Sequence, residues 1–270
     1  MSDRVRKPAV AGYFYPGTRL ALESALKKMI PEESGKRERV LGLMVPHAGY
    51  AYSGACAGKG FGRVAIADTV IVLGVNHRGT GSPLAVDGHD EWETPLGRIR
   101  LDQALLFKIS DKSRLFAVDS EAGRAEHSLE VQVPFIQYLN PETKLLPIVV
   151  SSHKLPELLE GGREIGRLFA GRRDMMMVAS TDMSHYIPAD EARELDFKAI
   201  DEILSLNPEG LYETVLRNGI SMCGVAPTVV MLAAALEAGA TRAELVDYTH
   251  SGEVTGDHKE VVAYASLIVY

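Results

Sequence analysis

The chain predicts a single α/β domain with a central, mostly parallel or mixed sheet and helices on both faces. Three observations carry that expectation. Short apolar runs alternate with helical periodicities almost throughout. The runs are apolar at nearly every position, as strands covered on both faces are. At 270 residues the chain can bury one large core, and no internal repeat, low-complexity tract or linker divides residues 1–270.

The elements follow in order. Pro8, Gly12, Pro16 and Gly17 punctuate the first 17 residues and predict loop. Thr18 suits the cap of a helix over 19–30, with Leu20, Leu22, Leu26 and Met29 as its apolar face. Residues 31–39 predict a charged loop, 40–45 the first strand, and Ser53 the cap of a small-residue helix running to about 66. A strand at 70–75 precedes a loop-rich stretch at 76–99 with short strands near 84–86 and 97–99. Helices are expected near 102–110, 126–138, 155–169, 189–204, 208–218 and 227–238. Further strands are expected at 145–150, 175–179, 245–248 and 261–269.

Composition is that of a soluble globular enzyme, 46% apolar and 24% charged. Lys and Arg total 29 against 36 Asp and Glu, a formal charge of −7, which argues against a basic nucleic-acid footprint. Two cysteines, Cys56 and Cys223, imply no disulfide framework and fit a reducing cytoplasm. The N-terminal residues lack the apolar core of a signal peptide, and no run of about 18 apolar residues predicts a membrane span.

Five expected strand ends carry a histidine: His47, His77, His153, His185 and His250. Ligands of open α/β sheets sit beyond the carboxyl ends of strands, so these imidazoles predict a metal or acid–base site on one rim. His47 and His77 are the strongest pair, since neither lies on an apolar periodic face. The bland alternative is that each ring binds a loop carbonyl. Asn76 and Tyr52 stand beside them as cleft candidates.

Asp182-Met183-Ser184-His185 has the form of a base with a carboxylate that orients it, or Asp182 or Ser184 simply starts a helix. In Glu126-His127-Ser128-Leu129-Glu130, Ser128 suits an N-cap and the two acids suit the first turn, while helix formation leaves His127 unexplained. Glu253, near His250 in a polar, Gly-rich segment, is a candidate carboxylate ligand beside His47 and His77, a set that suits non-haem Fe(II). A solvated loop is its plain alternative. Cys223 is either a small buried hydrophobe or a thiol nucleophile activated by histidine. No P-loop, GxGxxG fingerprint or GxSxG elbow is present.

Residues 6–16 (RKPAVAGYFYP), 46–54 (PHAGYAYSG), Asn76-His77, 126–130 (EHSLE), 182–186 (DMSHY) and Cys223-Gly224 together resemble the Memo family, the mediators of ErbB2-driven cell motility, in family order over nearly the whole chain. The resemblance implies the fold of class III extradiol, LigB-like dioxygenases, which hold Fe(II) with two histidines and a glutamate. It assigns His47 and His77 as metal ligands and His185 as the site histidine. Animal members are expected to add a cysteine near the C-terminal strand; an ungapped match from Tyr248 puts Val254 there, with Glu253 adjacent.

The expected function is therefore a Memo-like protein with a metal-binding cleft. In the enzymatic form, His47, His77 and Glu253 hold Fe(II), with copper or zinc as alternatives, and His185, Asp182 and His127 serve catalysis as in a dioxygenase or oxidoreductase. The alternative is a non-enzymatic module that binds a small molecule or peptide in the same cleft, walled by Tyr13, Tyr15, Tyr50, Tyr52 and Trp92. Implied partners are AMMECR1-like and radical-SAM proteins and a second copy in a homodimer, with no nucleic acid or membrane.

Overall fold

A computed structural model describes residues 4–31 and 39–270. The charged loop expected at 31–39 thus lies mainly outside the described residues, as do the first three residues of the N-terminal segment.

Four strands form the centre of the larger sheet in the order Gly42–Val45, Met175–Ser180, Thr69–Val75 and Lys144–Val150, all parallel. Antiparallel strands extend both sides: Val261–Val269 pairs with Gly42–Val45, and Leu84–Val86 pairs with Lys144–Val150. Ala117–Val118 joins Leu84–Val86, while His185–Ile187 and Ala243–His250 both pair with Val261–Val269. The sheet is mixed, as expected, around a parallel core.

Side chains alternate cleanly between the two faces. Met44, Ile71, Leu73 and Met177 join the core beneath helices Leu155–Arg167, Ala189–Leu204, Pro208–Asn218 and Val225–Glu237. Leu43, Val45, Val70, Val72 and Val178 join the opposite core, with Leu22 and Leu26 of Arg19–Met29, Phe61 of Tyr50–Arg63 and Phe135 of Val133–Leu139. Burial on both faces is why these runs carry few polar positions, such as Thr69, Lys144, Ser180 and Ser266.

Some local expectations change. Val5–Arg6 is not loop but a short strand on Glu91–Thr94, which turns back into Gly97–Arg100. Leu20 is 80% exposed, so the apolar face of Arg19–Met29 rests on Leu22 and Leu26, both fully buried. Ser53 does not cap its helix: Gly49 holds the N-cap position, and the Ser53 hydroxyl donates to the Ala48 carbonyl. Ser128 is likewise not a cap. Glu126 is the N-cap of His127–Glu130, its carboxylate accepting from the Ser128 N–H.

Among the described residues, no helix is long and apolar enough to cross a membrane.

Candidate metal centre

Parallel strands bring their carboxyl ends to one edge, and two of the expected residues meet there. His47 follows Gly42–Val45, and His77 follows Thr69–Val75. The third ring is His127, at the start of His127–Glu130. One ring nitrogen from each of His47, His77 and His127 lies within 4.8 Å of those of the other two. The ring centroids are 4.6 to 5.4 Å apart.

His127 arrives because its short helix packs unusually close to a strand. A Cβ at Gly74 would stand 2.6 Å from the Leu129 side chain and 2.7 Å from the Ser128 hydroxyl. The Ser128 hydroxyl accepts from Val75 N–H at 3.0 Å, which ties the helix to the strand that ends in His77.

The N-terminal segment locks the other side. Arg6 and Glu130 form a buried ion pair at 2.6 Å. Glu130 also accepts from the N–H groups of Ala9 and Val10 and from the Tyr15 hydroxyl. Arg6 donates to the carbonyls of Gly123 and Glu126 and lies over the Trp92 ring. Tyr15, Tyr50 and Trp92 are thus internal supports, not cleft walls; of that aromatic set, Tyr13 and Tyr52 are exposed.

Hydrogen bonding fixes which nitrogen each ring presents. The Ser180 hydroxyl donates to the Ser128 carbonyl at 2.6 Å, so its oxygen accepts from His47 Nδ1–H at 3.0 Å and from Gln132. His77 Nδ1–H donates to Glu126 at 2.9 Å. Both rings therefore keep Nε2 as the lone-pair nitrogen, and the Glu126–His77 pair is the carboxylate–imidazole unit typical of metal sites.

The electrostatics keep two of the three rings neutral. Burial, aided by the neighbouring His77, pushes His47 down to about 3. Burial and His47 push His127 down to about 4. Burial alone would raise Glu126, but hydrogen bonds from His77 and the Ser128 N–H hold it at about 2. At neutral pH His47 and His127 are unprotonated and Glu126 is ionised, and three imidazoles backed by a carboxylate are a donor set that suits a first-row transition metal.

Cys223 completes the neighbourhood. Its Sγ is 3.3 Å from His47 Nε2 and accepts from Asp182 N–H. A Cβ at Gly224 would stand 2.3 Å from the Thr181 side chain, so only glycine lets this segment approach. Burial, then the Asp182 carboxyl, pushes the thiol up to about 12. With His47 uncharged, nothing here activates a free thiolate nucleophile.

Three expectations are corrected. Glu253 does not join His47 and His77; it sits with His250 and His258, because the strand Ala243–His250 lies at the margin of the sheet beyond Val261–Val269. The cysteine beside the histidines is Cys223, from the turn before Val225–Glu237, whereas Val254 is 56% exposed. Asp182 neither caps a helix nor orients His185: it accepts from the N–H groups of His47 and Ala48 and so holds the His47 loop. His185 instead pairs its Nδ1 with the Ser221 carbonyl at 3.0 Å.

The remaining residues fall outside the cluster. Asn76 braces its own loop, donating to the Thr80 carbonyl and accepting from Gly79 N–H. His153 is exposed at its strand end. Ser180, Gln132 and Arg6 are the supports that the sequence did not reveal, since each acts on a residue far along the chain.

A family model for Memo-like proteins matches residues 6–268. A MEMO1 family protein of Aquifex aeolicus is 42% identical over 98% of this chain and 99% of its own. The MEMO1 family protein Mbar_A1422 of Methanosarcina barkeri is 41% identical over 98% of this chain and 100% of its own. In fold, the chain is similar to the crystal structure of an uncharacterized protein, JW3007, from Escherichia coli K12, with TM-score 0.54, 14% identity, and coverage of 84% of this chain and 99% of that one.

Proposed function

The chain belongs to the Memo-like family, and from that premise we propose that it is a metal-dependent oxidoreductase whose His47, His77 and His127 hold Fe(II). The observation that carries this reading is the convergence of three imidazole nitrogens within 4.8 Å. Two of the rings have Nδ1 engaged, so that their Nε2 atoms are left to bind. Bound iron would supply Lewis-acid activation and a template that orients O₂ and an organic substrate.

The chain's own residues do the rest. Glu126 holds the tautomer of His77 and balances positive charge. Asp182 fixes the loop that presents His47. His185 donates from Nδ1 to the Ser221 carbonyl, which leaves Nε2 as the base that takes a proton from a substrate hydroxyl. Cys223 stands next to the lone pair of His47, where its sulfur would add a donor to a bound metal.

The test is anaerobic loading with Fe(II), then admission of O₂ with a series of catechol-type substrates. Oxygen uptake and ring-cleavage absorbance are followed. Turnover that falls about 10²-fold or more in His185→Gln, with iron content unchanged, supports the reading. Full iron loading with no turnover on any ring substrate would reject the dioxygenase assignment and leave a metal-binding module.

A further inference from the structure

His250, Glu253 and His258 form a second group of metal-ligating side chains outside the three-histidine pocket. Their ligand atoms all lie within 4.8 Å of one another. We infer that this trio is a separate, solvent-facing site for a first-row divalent cation, for which Zn²⁺ is the probe. The inference does not rest on the function proposed above.

The backbone holds all three residues in place. His250 ends the strand Ala243–His250. Ser251 then staples the turn to the neighbouring strand: its N–H donates to the Val262 carbonyl, and its hydroxyl accepts from Val262 N–H. The single turn Gly252–Thr255 sets Glu253 above His250. The His258 carbonyl accepts from Ala189 N–H, at the start of Ala189–Leu204. The side chains therefore project from anchored positions, and little ordering remains for a cation to impose.

The distances fit a metal. His250 Nε2 and Glu253 Oε1 are 3.5 Å apart. Ligands about 2.0–2.2 Å from a tetrahedral zinc stand about 3.3–3.6 Å apart, so this pair already has the separation of one tetrahedral edge. A metal bound to His250 Nε2 and Glu253 Oε1 would take the place of the proton that otherwise joins an imidazole nitrogen to a carboxylate oxygen.

The polar accounting points the same way. His250 Nδ1 and Asp247 Oδ2 are buried with no hydrogen-bond partner. Buried polar atoms are nearly always paired, so the region is short of partners. Asp247, His250 and Glu253 line one cavity of about 360 Å³. Asp190 adds a further negative charge to its wall. Of the cationic side chains there, Lys59 is committed to Asp247 Oδ1 at 2.8 Å, and Arg193 lies over the Phe197 and Tyr248 rings. Two imidazoles and a carboxylate with open positions suit Zn²⁺ and its neighbours in the first row and do not suit Ca²⁺ or Mg²⁺.

The test is Zn²⁺ stoichiometry and affinity, measured by competition with a chromophoric chelator, on the full chain and on His258→Gln and Glu253→Gln. Both substituted residues are exposed, so the variants should fold, and circular dichroism verifies this. Whatever the three-histidine pocket binds, each variant should hold one equivalent fewer than its parent, or hold that equivalent at least about tenfold more weakly. Equal stoichiometry and affinity in parent and both variants would overturn the site. A His47→Ala/His77→Ala chain that keeps the equivalent sensitive to His258→Gln would separate this site from the pocket. If that chain instead loses every zinc equivalent, the second site is refuted.

Discussion

Cys223 Sγ lies 3.3 Å from His47 Nε2, although 176 residues separate them in the chain. The approach depends on Gly224, which packs against Thr181 where no Cβ fits. It places a soft donor beside a neutral imidazole whose other nitrogen is already engaged by Ser180.

The metal-free thiol should be inert. Its shift from 9.0 to about 12 lowers the thiolate fraction at pH 8 by about a thousandfold. Iodoacetamide labelling of Cys223 should therefore be as slow as that of the buried Cys56, until denaturant is added. Rapid labelling of Cys223 alone in the native protein would revive the thiol nucleophile.

Acid should weaken the metal-free fold through its buried imidazoles. In the unfolded chain both imidazoles take up protons near 6.5, but folded His47 and His127 stay neutral down to about 3 and about 4. The unfolded state thus binds more protons below 6.5, so stability from these rings is complete above that value and is lost as pH falls. The slope is about 1.4 kcal/mol per pH unit for each ring. Urea midpoints between pH 6.5 and 5 measure it, and His47→Gln should remove about half of this component. A slope unchanged in that variant would contradict a neutral, buried His47.

Arg6→Ala should cost about 3–5 kcal/mol, because it strands the buried Glu130 carboxylate. The same change frees the segment whose Phe14 ring packs 4.7 Å from that of His127, so it should also weaken metal binding. Denaturant unfolding checks the first effect and metal titration the second. A loss under about 1 kcal/mol would mean that the ion pair does not anchor the N-terminal segment.

Much of the fold was legible locally. Strands such as Val261–Val269 show themselves because burial on both faces favours a nearly unbroken apolar run, broken here only by the buried Ser266, and Ala189–Leu204 and Pro208–Asn218 fall where helical periodicity places them. His47 and His77 were legible for a related reason: imidazoles immediately after parallel strands must share an edge. The third ring was harder. His127 stood out only as a histidine that helix formation did not need, and its approach to His77 rests on the absent Cβ of Gly74. Glu253 was misplaced since strand order is a tertiary fact: Ala243–His250 pairs with Val261–Val269 at the sheet margin, not with the central strands. Arg6–Glu130 and Cys223–His47 span more than a hundred residues each and have no local signature.

The most direct test of the three-histidine centre is anaerobic Fe(II) binding to His258→Gln protein, in which the second cluster is disabled, with and without His127→Ala. The account predicts near-stoichiometric iron in the parent and its loss, by at least about tenfold in affinity, when His127 is replaced. Iron held equally well without the His127 ring would contradict it and return the third position to another donor.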